Sequence, residues 1–420
     1  MRFFFPDSQD QVDPEFDFHT ERRVRGRQRG RDDLYAHEVF ATPPCDGILV
    51  SKAMVEGYGT SGGRFSIGQR NRLLNEGVRA FYRLDERAET RHLESMGDCG
   101  AFSYRKEQAP PWSVDQVIEF YEGCGFDHGI SVDHLILDFD ASVDSFFPDL
   151  DGISPEHRHR QHLTLELADE FFQKTRALRC RFNPVGVAQG WSPDSYARAV
   201  ERLQEMGYRA LAIGGMAKGK TRDILALLER VKAVLRPGIT LHLLGISRAS
   251  QLQEFQRLGA TSFDSTSALM QAWQDDRDNY HTLTRAYSAV RVPQVQGNPD
   301  LMDKIASGVV DQDKARRLER ASLEALRAYD EGTRGIDEVL DVLRKYEYLC
   351  DPSRKSRAEA YREVLQAMPW KECACAVCES LGIDVIIFRG AERNRRRGFH
   401  NVHVLYQQVS NAVPVGIART

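Results

Sequence analysis

The chain has 420 residues, 41% hydrophobic and 28% charged, with a formal net charge of −4, which suits a soluble globular protein of one large domain or two moderate ones. No apolar run approaches the roughly 20 residues of a membrane helix, and the charged start from Met1 to Asp10 has no signal-peptide pattern, so a cytoplasmic protein without membrane contact is expected. Cys45, Cys99, Cys124, Cys180 and Cys350 are scattered in a way that fits reduced thiols rather than a disulfide framework.

In chain order, residues 1–40 read as a basic N-terminal arm and entry segment, with Arg22, Arg23, Arg25, Arg27, Arg29 and Arg31 crowded among glycines. A small-residue turn, Gly97-Asp98-Cys99-Gly100-Ala101-Phe102, lets backbone approach a ligand and presents the Asp98 carboxylate. The capping box Ser113-x-x-Gln116 opens a helix with Val114, Val117, Ile118 and Tyr121 on one face and Gly123 placed to end it. A strand is expected over 134–140, carrying Asp138 and Asp140 on one face by the two-residue period. A charged helix over about 155–178 leads to a short strand ending in Gln189-Gly190. Ser192 then caps a helix with Pro193 in its first turn and Gly207 at its end. Further strands are expected over 209–215, 239–245 and 261–264, with helices over 223–235 and 249–258 between them.

This rhythm favours a parallel α/β sheet, and polar residues at the ends of several strands (Asp138, Asp140, Gln189, Gly215, Asp264) favour a (β/α)8 TIM barrel over 41–275. Residues 276–370 read as a mainly helical insertion. Residues 371–420 read as a zinc-binding subdomain and terminal helix. Cys373, Cys375 and Cys378 with His400 can fill a tetrahedral shell around a structural Zn2+, and His403 competes for the fourth place. Arg393, Arg395, Arg396 and Arg397 precede His400; with the arm's Arg22, Arg23, Arg25 and Arg27 they are candidates for a nucleic-acid backbone. On one barrel face, Asp98 and Asp264 can divide glycosidic chemistry, one attacking an anomeric carbon while the other manages the leaving group's proton.

Six segments in order resemble the guanine transglycosylases, which exchange a base for a 7-deazaguanine without breaking the nucleic-acid backbone. They are Gly97–Phe102, Gly186–Gly190, Ala212–Ala217, His242–Ile246, Phe263–Ser265 and the cysteine cluster with His400. The resemblance implies that Asp264 is the nucleophile and Asp98 the general acid/base. It implies that Phe102 stacks on the base opposite Leu244 or Met216, and that Gln189, Gly190, Gly214, Gly215 and either Asp138 or Asp140 bind its edge. His400 becomes the implied fourth zinc ligand. Where transfer-RNA members follow the nucleophile with Pro-Thr-Arg, this chain reads Ser265-Thr-Ser267, and with its basic arm and long insertion it looks like the branch that inserts 7-deazaguanines into DNA. The expected partners are DNA, with tRNA as the alternative, and a free base such as 7-cyano-7-deazaguanine, related to queuosine precursors. Partner proteins of a DNA-modification system are a further expectation. A non-catalytic accessory subunit and a base-removing hydrolase are the competing readings.

Overall fold

Arg2-Phe-Phe-Phe-Pro6 forms strand β1 (Arg2–Pro6), and β2 (Gly47–Ser51), β3 (Glu94–Asp98), β4 (His128–Ile130) and β5 (Asn183–Ala188) follow. After β6 (Ala210–Ile213), β7 (Thr240–Leu243) and β8 (Ser262–Asp264), β1 pairs in parallel with both β8 and β2 and closes the barrel. The computed structural model describes residues 1–7, 9–59, 61–146, 154–353 and 355–411. Among these, eight parallel strands make a closed (β/α)8 barrel.

Side chains from successive strands fill the barrel: Phe4, Leu49, Met96, Ile130, Val185, Val187, Ala210 and Ala212 form one buried cluster. Gly47 makes room for Phe4, because a Cβ there would lie 2.6 Å from the Phe4 ring. Strands β7 and β8 instead turn His242, Ser262 and Asp264 into the polar network described below.

The helices form where capping and spacing place them. Ser113 caps α1 (Val114–Cys124), accepting from the Gln116 amide at 3.3 Å while its own amide donates to Gln116 Oε1 at 2.9 Å. The helix runs through Gly123 and stops at left-handed Gly125, two residues beyond the expected end. After α2 (Pro155–Leu178), Ser192 caps α3 (Pro193–Met206) and left-handed Gly207 ends it. Helices α4 (Thr221–Val234) and α5 (Leu252–Arg257) follow β6 and β7.

The strand expected over 134–140 is a correction. Its place is taken by β4, and residues 131–140 lie outside any strand. Side chains meet the backbone there: the amides of His134 and Ile136 donate to Thr164 Oγ1 (3.0 Å) and Gln189 Oε1 (3.3 Å), and the Leu135 carbonyl accepts from Arg160 (2.7 Å). Residues 131–136, whose polar groups are met in part this way, are buried without a ladder.

Two compact units divide the chain. One holds residues 1–9, 45–266 and 408–411; the other holds 10–44 and 267–407. The segment 1–40 is therefore not a free arm, since residues 2–6 are the first barrel strand and 10–40 belong to the second unit. The barrel thus begins before residue 41. The second unit contains α6 (Ser267–Gln274), α7 (Pro299–Ala306), α8 (Gln312–Asp330), α9 (Ile336–Cys350), α10 (Ala358–Ala367), α11 (Ala376–Leu381) and most of α12 (Gly390–Asn411). Residues 412–420 of the expected terminal subdomain lie outside the described residues. No helix among the described residues is long and apolar enough to cross a membrane.

Candidate active site and metal centre

The C-terminal ends of the barrel strands enclose a cavity of about 200 Å³, lined in part by Asp98, Phe102, Asp133, Gly215, Leu244 and Asp264. Asp98 is the last residue of β3 and pairs with Ser51 of β2. The chain then turns through Gly100 at φ +88°, where a Cβ would fall 2.4 Å from both Ala53 Cβ and Ser51 Oγ. This turn directs the amides of Gly100 and Cys99 at the Asp98 carboxylate. Burial and the neighbouring charge of Asp133 outweigh those amides and push the Asp98 carboxyl up to about 7, with Asp264 adding to the effect.

Asp133 stands three residues beyond β4 and is buried. Its Oδ2 accepts from Gln189 Nε2 at 2.6 Å and its Oδ1 from the Cys99 thiol at 3.3 Å. The Tyr104 hydroxyl lies 3.0 Å from Cys99 Sγ and 3.1 Å from the Asp133 carbonyl. Burial raises the Asp133 carboxyl to about 6 against the lowering effect of Gln189 and Cys99.

Asp264 ends β8. Its Oδ1 accepts from the Gly245 amide at 2.9 Å and lies 3.1 Å from His242 Nε2. With the proton on Nε2, His242 Nδ1 is left to accept from Ser262 Oγ at 2.8 Å, and Phe4 meets the imidazole edge-on. One carboxylate oxygen is thus fixed by two donors. The cavity therefore holds a positioned carboxylate beside two carboxyls that titrate near neutrality, an arrangement suited to nucleophilic attack coupled to proton transfer.

The other expected base-binding residues separate. Leu244, Gly214 and Gly215 line the cavity, and Phe102 stands at it about half exposed, with the Arg105 and Lys218 cations 4.4 and 5.6 Å from its ring centre. Gln189 is fully buried and engaged with Asp133 and the Ile136 amide, so it supports the cavity from behind. Gly214 makes room for it, because a Cβ there would sit 2.2 Å from Gln189 Nε2. Gly190 likewise gives way to Ser195 and Tyr196. Met216 is buried and lines the adjoining cleft instead. Asp138 and Asp140 are corrected: Asp138 is exposed beside His157 at 3.2 Å, Asp140 binds Ser142, and neither lines the cavity. Asp133, which the sequence reading did not single out, lines the cavity instead. Once β4 is set at 128–130, the rule that site residues follow strand ends leads directly to it; His242 carries no comparable sequence signal.

No family model matches the chain. A Salmonella montevideo protein described as a DNA-guanine transglycosylase is 46% identical over 413 residues, covering 97% of this chain and 96% of the relative. The chain belongs to the DNA-guanine transglycosylase family.

In this transglycosylase the ligating atoms of Cys373, Cys375, Cys378 and His400 all lie within 4.8 Å of one another. His400 Nδ1 is 3.4 Å from the sulfurs of Cys375 and Cys378 and 3.7 Å from that of Cys373. Metal–sulfur and metal–nitrogen bonds of about 2.3 and 2.1 Å would separate S and N by about 3.6 Å around a tetrahedral ion, so the donor set fits a metal. His400 Nε2 donates to the His281 carbonyl at 2.7 Å, which fixes the tautomer that turns Nδ1 to the sulfurs. Tyr280 stacks on the imidazole at 4.2 Å. His403 stacks instead on Phe40 and is no part of the group.

Most of the arginines expected along a nucleic-acid backbone are engaged within the transglycosylase's second unit. Arg393 and Arg397 are among the most deeply buried large side chains. Arg393 pairs with Glu21 and Asp384 and donates to the Phe18 carbonyl at 2.8 Å. Arg397 serves the carbonyls of Val385, Ile387 and Ala272, Arg396 that of Asp13, and Arg395 that of Gln11. In the former arm, Arg23 pairs with Asp33 and Glu392 and Arg27 with Asp13, while Arg22 and Arg25 are exposed. Acids from 10–33 and 384–392 pair with Arg23, Arg27, Arg393 and Arg395 within the second unit, a pairing invisible to local charge counting.

Proposed function

We propose that this transglycosylase exchanges guanine in DNA for a 7-deazaguanine, 7-cyano-7-deazaguanine, by double displacement. The observation that carries the reading is the opposed environments of Asp98 and Asp264 in one cavity, together with the name of the relative. Asp264 attacks C1′ of the extruded deoxyguanosine. The C1′–N9 bond breaks, its electron pair stays with guanine, and the Asp98 carboxyl supplies the proton. The resulting aspartyl–sugar ester keeps the strand intact. The incoming base then loses its ring proton to the Asp98 carboxylate and attacks C1′, displacing Asp264, so two inversions give net retention. A carboxyl near 7 suits both halves of the cycle, because it must donate in one and accept in the other. In this reading Asp133 accepts from the N–H donors on the base edge, Gln189 and Cys99 hold Asp133, and Phe102 and Leu244 cover the ring faces. Extrusion of the nucleotide is required, since a stacked base cannot reach a barrel mouth.

The metal at the Cys3His group is Zn2+ in a structural role, because four protein donors leave no position for water. Metal analysis should find one zinc per chain, and chelation should unfold the second unit. A metal-free chain with unchanged stability would refute this.

The deciding assay gives the purified protein labelled 7-cyano-7-deazaguanine with DNA and tRNA side by side, alone and with candidate partner proteins. Label enters DNA, and Asp264→Ala abolishes it. Label in tRNA only, base release without incorporation, or no reaction in any combination would each overturn the proposal.

A further inference from the structure

A second cleft of about 750 Å³ opens beside the catalytic cavity and shares Leu137, Gly215 and Lys218 with it. Its far wall is the turn after β6 and the start of α4, which brings Lys220 and Arg222 beside Lys218. All three cations are exposed, unlike Arg393 to Arg397. Two carboxylates share the cleft, and both are engaged: Asp223 accepts from Arg222 at 3.2 Å, and Asp140 accepts from the Ser142 amide and hydroxyl at 2.8 and 2.6 Å. The opposite wall carries Leu137, about half exposed, and Phe139. Phe102, at the mouth of the catalytic cavity, lies under the ammonium of Lys218, which borders both spaces.

A nucleotide extruded into the catalytic cavity remains joined to its neighbours through two phosphates, which must leave by that mouth. A groove with cations along one side and exposed apolar side chains along the other matches a single strand's phosphates and unstacked bases. The positive end of the α4 dipole adds to the same field. From this continuity and charge complementarity we infer that the cleft holds the DNA strand flanking the extruded deoxyguanosine, with Lys218, Lys220 and Arg222 on its phosphates and Leu137 against the neighbouring base. The inference rests on the DNA reading above and adds to it the path of the strand.

The test uses Lys220→Ala/Arg222→Ala, two residues outside the catalytic cavity. Binding of a fluorescent single-stranded oligonucleotide containing guanine is followed by anisotropy between 50 and 300 mM salt. Losing two phosphate contacts should flatten the log Kd against log[salt] slope by about 1.4 and raise KM for DNA roughly tenfold or more, with an unchanged melting temperature. The charge reversal Lys220→Glu/Arg222→Glu should weaken binding further. A folded variant whose salt slope and KM equal those of wild type, while wild type still labels DNA, would overturn the cleft and leave the activity standing. Failure of wild type to bind or label DNA, or preferential loss of RNA binding in the variant, would overturn both.

Discussion

Asp98→Asn should make the protein inactive and, at alkaline pH, more stable. The carboxyl moves from an ordinary value of 3.8 to about 7 in the fold. Because the folded pKa lies above the unfolded one, the folded state binds more protons between those values, and stability falls as pH rises from about 4 to about 7. Above 7 the full cost of an ionised Asp98 beside Asp133 and Asp264 is present, about 4 kcal/mol at about 1.4 kcal/mol per pH unit. Residual access to the cavity reduces this to about 2–4 kcal/mol. Asparagine resembles the neutral acid in size and carries no charge, so the variant should gain that amount at pH 8 and almost nothing at pH 4. For a unit of this size the gain corresponds to roughly 4–10 °C in melting temperature. Thermal unfolding followed by calorimetry at pH 5, 6, 7 and 8 reads the trend. A difference that does not grow with pH, or a less stable variant at pH 8, would refute the assignment of strain to this carboxyl.

Three other outcomes are expected. His242→Phe keeps the packing against Phe4 and removes the donor to Asp264, so kcat/KM should fall roughly 10–100-fold, the worth of a hydrogen bond to a charged group, with little change in KM for the free base; single-turnover kinetics would check it. Gly214→Ala drives a methyl into Gln189, which should release Asp133 and raise KM for the incoming base at least tenfold, while Gly190→Ala, whose Cβ meets Ser195 and Tyr196 instead, should mainly lower stability. Arg393→Ala removes one cation from a buried network in which Glu21 keeps Arg389 and Asp384 keeps Arg327, and should cost about 1.5–3 kcal/mol in chemical denaturation while leaving the salt dependence of DNA binding unchanged, which a titration of the folded variant would verify.

The barrel was legible because β-branched and small residues alternate with capped amphipathic helices, and those patterns report local structure. Ser113, Ser192 and Gly207 do what their residue types dictate. Strand β4 was not legible: His128-Gly129-Ile130 is three residues long, and its central glycine exists to admit Tyr121 and Phe182, whereas the more apolar run after it has its backbone met by side chains from elsewhere. The error carried Asp133 away from the expected site and put Asp138 and Asp140 in its place. The cysteines and His400 were readable because metal chemistry constrains residue type as well as spacing. The arginines misled for the opposite reason, since a guanidinium looks the same in sequence whether its counter-ion is a phosphate or a buried glutamate.

That pairing also sets a schedule. Glu21 is separated by 368 residues from Arg389, which holds it. At a synthesis rate of about 5–20 residues per second, the segment around Glu21 emerges roughly 20–70 s before its partner exists. The second unit therefore cannot close until almost the whole chain has been made, while most of the barrel strands are already available to pair. During that interval the segment that carries Glu21, with Phe16 and Phe18 that meet edge-on in the finished fold, is a waiting half of a domain.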